Sequence, residues 1–452
     1  MFALASPSAE PRRILVRGVN WVGDAVMTTP ALGRLRERFP RARITLLTAE
    51  KLADLWREHP SIDEVMTFAG GQGVWSVGRR IRNWQVDKLA GELGEQRWGA
   101  AGPLRAAMAE AVAALAEMTL KVLSSLRGGN PPPLDLEPVR ERAERHRQLL
   151  EAYSAFPFDL ALVLPNSPRA ALETWLGRVP QRVGYARPWR NWFLTRPIAS
   201  RAESVVMRKR SAREVRRRQS APGPQGAPAA AAHQIHDYLH LVAALGGNAE
   251  PLPPMLEVSA GEVEQARKAF LADLPGQGQG GAAGWPLVLG LSPGAEYGPA
   301  KRWPAEDFAA VVREVCRRRG NCLWLVFGGV KERELCAEIA RAAGGSAANL
   351  AGRTSLRELM ALLKLCRVLL ANDTGPMHLA AALGTPVVVP FGSTSPELTG
   401  PGLPGDPRHR LLRSDAGCAP CFRRTCPVDF RCLSGLSAER VVEAVWQAIS
   451  PD

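Results

Sequence analysis

The stretch "RILVRGVNWVGDAVMTTPALGRLRERFP", residues 13–40, sets a short apolar run directly before a glycine-containing turn and a helical pattern. A strand–turn–helix of this kind opens a nucleotide-binding α/β unit, in which a pyrophosphate rests on the helix N-terminus. The glycines do not fit that use. Gly18 and Gly23 are five apart, which is not a Gly-x-Gly-x-x-Gly turn, and a carboxylate, Asp24, stands at the mouth of the helix. An acid at that place serves either as a helix N-cap or as a general base toward some other substrate.

Working outward, strands are expected at Ile14–Arg17, Ile44–Leu47 and Val65–Phe68, with helices near Asp24–Arg38 and Leu52–His59. The alternation resumes at "FDLALVLP" (158–165) and runs to the helical "HQIHDYLHLVAAL" (233–245). The proline-rich "NAEPLPPML" (248–256) reads as a linker. A second alternation follows, with strands at 286–293, 322–329, 367–375 and 385–392 and helices at Glu306–Arg319, Lys331–Ala343 and Ala438–Ile449. Repeated βα units predict parallel sheets covered by helices on both faces. The expected architecture is therefore α/β: two Rossmann-like domains, residues 12–247 and 255–450, facing each other across a cleft.

Two stretches interrupt the rhythm, at about 70–157 and 203–232. In the first, Leu104, Met108, Val112, Leu115, Met118, Val122 and Leu126 recur at helical spacing. That greasy face is expected to pack on the body of the N-terminal domain; the alternative is an amphipathic helix on a membrane surface. The second combines "RKRSAREVRRR" (208–218) with "APGPQGAPAAAA" and reads as a flexible, solvated insert, or less readily as a lipid or phosphate contact.

The 452 residues carry 58 Lys and Arg against 44 Asp and Glu, a formal charge of +14 that favours anionic partners. A nucleic-acid partner is not expected, because the basic residues lack interleaved aromatics. No signal-like or membrane-spanning segment is apparent, and a cytoplasmic enzyme is expected. Four of the eight cysteines cluster in "CAPCFRRTCPVDFRC", Cys418, Cys421, Cys426 and Cys432. A second Cys-x-x-Cys is missing, so a loop with reduced thiols is the favoured reading and no metal is expected.

Two motifs carry chemistry in the second half. "SPGAEYGPAKRWP" (292–304) follows a strand with glycines and then Lys301, a reasonable phosphate loop. In "ANDTGPMHLAAALGTP" (371–386), Asp373 closes a strand and Pro376 opens a helix whose free N–H groups favour an anion. His378, one turn in, either faces a ligand or is structural.

These residues resemble the glycosyltransferase family nine heptosyltransferases of lipopolysaccharide core assembly. The resemblance rests on "GVNWVGDAVMTTPAL", "VLPNSPRAA", "RVGYAR", "SPGAEYGPAKRWP" and "NDTGPMHLAAALGTPVVVPFGSTSP", in that order, and "NWVGD" with the late cysteines is closer to heptosyltransferase II than to I. It implies a GT-B architecture and inverting, metal-independent transfer of heptose from an ADP-heptose donor to a Kdo-lipid A type acceptor. An enzyme of the family with another donor or core acceptor, or a GT-B sugar-nucleotide epimerase, is the alternative. By the same resemblance Asp24 would be the general base. Ser292, Gly294, Lys301, Glu332, Asp373, Thr374, Gly375, Met377 and His378 would line the donor site. Asn166, Ser167, Arg169, Arg182 and Tyr185 would meet the anionic acceptor. No cofactor is implied, and contact with the inner membrane surface would be peripheral.

Overall fold

A computed structural model describes residues 10–92, 108–112, 114–115, 117–118, 137–154, 157–219, 230–272 and 286–450. The first sheet holds β1 (Arg13–Arg17), β2 (Arg43–Ala49), β3 (Glu64–Phe68), β4 (Leu160–Val163), β5 (Gln181–Tyr185) and β6 (Arg196–Ile198). Their order is β3-β2-β1-β4-β5-β6. The second holds β7 (Leu287–Ser292), β8 (Cys322–Val326), β9 (Ala347–Asn349), β10 (Leu369–Ala371), β11 (Val387–Pro390) and β12 (Arg410–Leu412), ordered β12-β11-β10-β7-β8-β9. The pairings of β1 with β2 and β4, and of β10 with β7 and β11, are parallel, with Ile14 opposite Ile44 and Leu160, and Leu370 opposite Leu291 and Val388.

Runs such as "LALV" in β4 and "VVVP" in β11 are buried at every position, as sheets covered on both faces require. Each sheet reverses its winding between its first and fourth strands. That places the crevice for a ligand beyond the carboxyl ends of β1 and β4 in one sheet and of β7 and β10 in the other.

The chain forms two compact units. One comprises β1 and the residues before it, Arg41–Leu47 and Phe68–Ala199; the other comprises Gly18–Pro40, Thr48–Thr67 and Ser200–Asp452. The linker expected at 248–256 thus lies within the second unit, as does the turn and helix after β1. The helix expected over Asp24–Arg38 is two helices, α1 (Val22–Met27) and α2 (Thr29–Arg38). Pro30 is the reason. It has no N–H to offer the Val26 carbonyl, which instead accepts the Thr29 hydroxyl at 2.8 Å.

Both interrupting stretches depart from expectation. Met108, Val112, Leu115 and Met118 stand exposed, so the packed face expected for them is not formed by these four residues; Leu104, Val122 and Leu126 lie outside the described residues. The basic run is solvated as expected, with Arg213, Arg216, Arg217 and Arg218 exposed, but it forms a helix rather than a flexible insert. Ser211 and Glu214 form a capping box for the helix Ala212–Arg218, and Val215 is buried in the C-terminal core. Residues 220–229 lie outside the described residues.

The first unit is pinned by a buried ion pair. Arg17 Nε meets Glu173 Oε2 at 2.8 Å, with both side chains almost wholly shielded, and the Arg17 guanidinium lies 4.5 Å from the Phe68 ring centre. Removing one partner strands a buried charge, which costs about 3–5 kcal/mol. Glu173→Ala is therefore expected to lower the unfolding free energy by ~3–5 kcal/mol in a denaturant titration, and Arg17→Met combined with Glu173→Leu by markedly less.

Candidate active site

The second unit gathers the motifs at the carboxyl ends of β7, β8, β10 and β11. Asn372, fully buried after β10, ties two of them together. Its side-chain nitrogen donates to the Pro293 carbonyl at 2.7 Å, and its oxygen accepts the Trp303 N–H at 3.1 Å. Trp303 in turn donates its indole N–H to the Leu436 carbonyl at 3.0 Å. The phosphate-type loop is thereby held against the β10 turn from both of its ends.

Asp373, next along, is nearly buried. Lys301 Nζ lies 2.6 Å from its Oδ2, and the Thr394 hydroxyl donates to the same oxygen. Lys301 also faces the Tyr297 ring at 4.9 Å, and the Tyr297 hydroxyl donates to the Phe422 carbonyl at 2.8 Å. Gly298, at φ +144°, allows the chain to pass the Arg424 carbonyl, which a Cβ would meet at 2.6 Å.

The helix Gly375–Ala382 begins at Thr374, whose hydroxyl makes no cap and instead donates to the Asn372 carbonyl at 3.3 Å. Its first-turn N–H groups are left for another acceptor. Met377 is completely buried, so its side chain offers no surface to a ligand.

Against this helix packs α1. A Cβ on Gly23 would lie 2.6 Å from His378 Cδ2, and one on Gly375 would lie 3.0 Å from Val22 Cβ. His378 is therefore a buried packing surface for Gly23, and burial lowers its pKa to about 4, so the ring is neutral at pH 7. The close approach brings Asp24 beside Lys301 and Asp373. Trp21 is the N-cap of α1 and Asp24 is the third residue of the helix, so the cap reading of Asp24 does not hold. Burial raises the Asp24 carboxyl from its ordinary value near 3.8 to about 6, opposed by the Lys301 charge and a hydrogen bond from Gln234.

Glu332 forms a further wall. Its Oε2 accepts the Gly329 N–H at 2.8 Å, and its carboxylate covers Gly294 so closely that a Cβ there would lie 1.9 Å from Oε1. Ser292 is buried at the end of β7. The donor-side residues read from the sequence thus converge, together with Asn372, Thr394, Gln234 and Tyr297, which the sequence reading missed. Of these, Asn372, Thr394 and Tyr297 lie inside quoted motifs, but Gln234 is brought in only by the tertiary fold.

Similarity to known proteins follows the same residues. Residues 225–430 match glycosyltransferase family 9 (heptosyltransferase). The chain is 26% identical over 402 residues to lipopolysaccharide heptosyltransferase 2 of Escherichia coli K12, covering 86% of this chain and 85% of that one. Lipooligosaccharide heptosyltransferase 2 of Haemophilus ducreyi is 25% identical over 395 residues, 86% of each chain. The chain is similar to family 9 glycosyltransferases along most of its length, and the family match itself falls on residues 225–430. Its fold matches the solved E. coli ADP-heptose lps heptosyltransferase II with a TM-score of 0.60 at 22% identity, covering 97% and 98% of the two chains. A family 9 glycosyltransferase from Veillonella parvula gives 0.64 at 19% identity, covering 97% of each. The two parallel sheets are thus those of the GT-B architecture.

In the first unit the acceptor-side candidates divide. Asn166, Ser167 and Arg169 are exposed beyond the end of β4. Asn166 accepts from Arg190 at 3.2 Å, Ser167 caps the helix Pro168–Leu176, and Arg169 pairs with Glu173 at 2.8 Å. Arg182 lies near the start of β5 rather than at its carboxyl end, with its guanidinium donating to the Val179, Pro180 and Phe193 carbonyls; Tyr185 is buried. Arg190, which the sequence reading missed, is fully shielded and bonds the Val163 carbonyl at 3.0 Å. Among the described residues no group of three or more His, Cys, Asp or Glu side chains could hold a metal ion, and all eight cysteines are free.

Two expectations test the packing. Gly23→Ala must displace the His378 ring, at a cost of about 1–3 kcal/mol, read as a lowered midpoint in chemical denaturation. For Asp24 the folded pKa lies above the unfolded one. Its proton stabilises the fold below pH ~4, and that contribution is lost as pH rises through 6. Asp24→Asn is therefore expected to be more stable than wild type at pH 7–8, by on the order of 1–2 kcal/mol, with the difference vanishing below pH 4.

Proposed function

We propose that the chain transfers heptose from ADP-L-glycero-D-manno-heptose to the heptosyl-Kdo-lipid A inner core of lipopolysaccharide, with inversion and with Asp24 as general base. The observation that carries this reading is the pair of carboxylates in unlike surroundings. Asp373 is bound by Lys301 and Thr394, whereas Asp24 is desolvated to a pKa of about 6. Environments that push two acids apart in this way separate a structural or binding role from a proton-accepting one.

In the proposed reaction Asp24 takes the proton of the acceptor hydroxyl as that oxygen attacks the anomeric carbon from the face opposite ADP. The C–O bond to the diphosphate breaks, and the leaving charge falls on ADP. The open first turn of Gly375–Ala382 and the remaining N–H groups of Lys301 receive it without a metal. Glu332, held by Gly329, is placed for the ribose hydroxyls of the donor, and Asp373 for the heptose.

Asn166, Ser167 and Arg169 remain the proposed acceptor contacts of the first unit. No helix among the described residues is long and apolar enough to cross a membrane. We place the enzyme in the cytoplasm, with peripheral contact at the inner membrane face, where Met108, Val112, Leu115 and Met118 offer an exposed apolar stripe; no nucleic-acid partner is proposed.

The test is ADP release from ADP-heptose with and without heptosyl-Kdo-lipid A. Release is expected to depend on acceptor and to fall by about 10²–10⁴-fold in Asp24→Ala. For wild type, kcat/KM is expected to be level above pH ~6 and to fall tenfold per pH unit below it. Turnover that survives Asp24→Ala nearly unchanged would put the base elsewhere.

A further inference from the structure

The basic segment and the cysteine-bearing loop together enclose a cavity of about 340 Å³ in the second unit. Four arginines line it, Arg208, Arg210, Arg218 and Arg413, beside the apolar Val205, Val206 and Phe422. Val205 and Val206 are exposed apolar side chains directly preceding the basic run.

The charges do not balance within the protein. Arg413 is held by Glu397 through two contacts of 2.7 and 2.9 Å, and Arg208 by Glu214 at 3.2 Å. Arg210 donates to the Cys418 carbonyl at 2.9 Å, and no ion pair joins Arg210 or Arg218 to a carboxylate among the described residues. The Arg218 charge also contributes to holding the Arg210 guanidinium below its ordinary pKa, after burial. Four guanidinium groups therefore share two carboxylates, Glu397 and Glu214, the second bound to Arg208 and acting on Arg210 only through its charge.

The arrangement is pinned in place. The Arg210 N–H donates to the Cys421 carbonyl at 3.0 Å, Arg423 donates to the Arg210 carbonyl at 2.8 Å, and Val215 anchors the following helix in the core. The cavity also adjoins the reaction centre along the chain. The N–H groups of Cys421 and Phe422 both bond the Ser393 carbonyl, Thr394 bonds Asp373, and Ser395 lines the cavity.

We propose that this cavity is an acceptor subsite for an anionic group, phosphate or carboxylate, on an amphiphilic saccharide. Arg210 and Arg218 take the anion through charge-assisted hydrogen bonds, and Val205, Val206 and Phe422 cover its apolar flank. The identity of the ligand rests on the transferase reading; the anion chemistry does not.

The test compares wild type, Arg218→Gln, Arg218→Lys and the pair Arg210→Gln with Arg218→Gln. Two probes are used: the delipidated anionic core saccharide, and phosphatidylglycerol vesicles that carry no saccharide. Arg218→Gln is expected to weaken equilibrium binding of the saccharide and to raise the acceptor KM about tenfold. The pair should lose more and Arg218→Lys should restore part, with donor KM and thermal midpoint unchanged for the exposed Arg218 variants. An effect on vesicle binding alone would make the cavity a lipid headgroup site and overturn the assignment, as would no effect on either probe. Saccharide binding that is sensitive to Arg218 in an enzyme that releases no ADP from ADP-heptose would keep the subsite and discard the proposed transfer.

Discussion

The close packing of α1 on the helix Gly375–Ala382 is the contact on which the site depends. The His378 ring occupies the space a side chain on residue 23 would need, so Gly23 is the condition for the approach. With the two helices in contact, Asp24 is carried out of bulk water to the neighbourhood of Lys301 and Asp373, and desolvation raises its pKa. The glycine before Asp24 therefore does not serve a phosphate. It admits a neutral imidazole, and the imidazole sets the position of an acid.

That contact also explains why two neighbouring carboxylates differ. Asp373, in the turn after β10, receives an ammonium and a hydroxyl. Asp24 sits at the start of a six-residue helix with the Gln234 side chain as a hydrogen-bond partner. One carboxylate has an ammonium and a hydroxyl on one of its oxygens, and burial raises the pKa of the other to about 6. The difference lies wholly in their surroundings, since the side chains are the same.

A second feature of the unit is the use of backbone carbonyls to fix cations and loops. Arg210, Arg423 and the Tyr297 hydroxyl each bind a main-chain carbonyl, joining the basic segment, the cysteine loop and the loop after β7. The cysteines Cys418, Cys421 and Cys432 are buried within the same core as Val215 and Leu433. The basic run, whose composition suggested a flexible insert, is an ordered part of the second unit because one buried valine and a capping box suffice to hold two helical turns.

The amino-acid sequence by itself determined the βα alternation, the parallel sheets and the two loops at the carboxyl ends of β7 and β10. These are written in local patterns: apolar runs of strand length, helical periodicity, and the proline that opens Gly375–Ala382. Most of the residues that converge at this site were legible for the same reason, since they lie within a few positions of a strand end. Tertiary structure alone decided the rest. Gln234 and His378 are separated from Asp24 by more than two hundred residues, so neither the raised pKa nor the reason for Gly23 is visible locally. Arg182 looked like an anion contact, yet its guanidinium is spent on three nearby carbonyls, and the stripe from Met108 to Met118 looked like core, yet those four residues are exposed. A side chain's type follows from the sequence, but its protonation, burial and partners follow from what the fold packs against it.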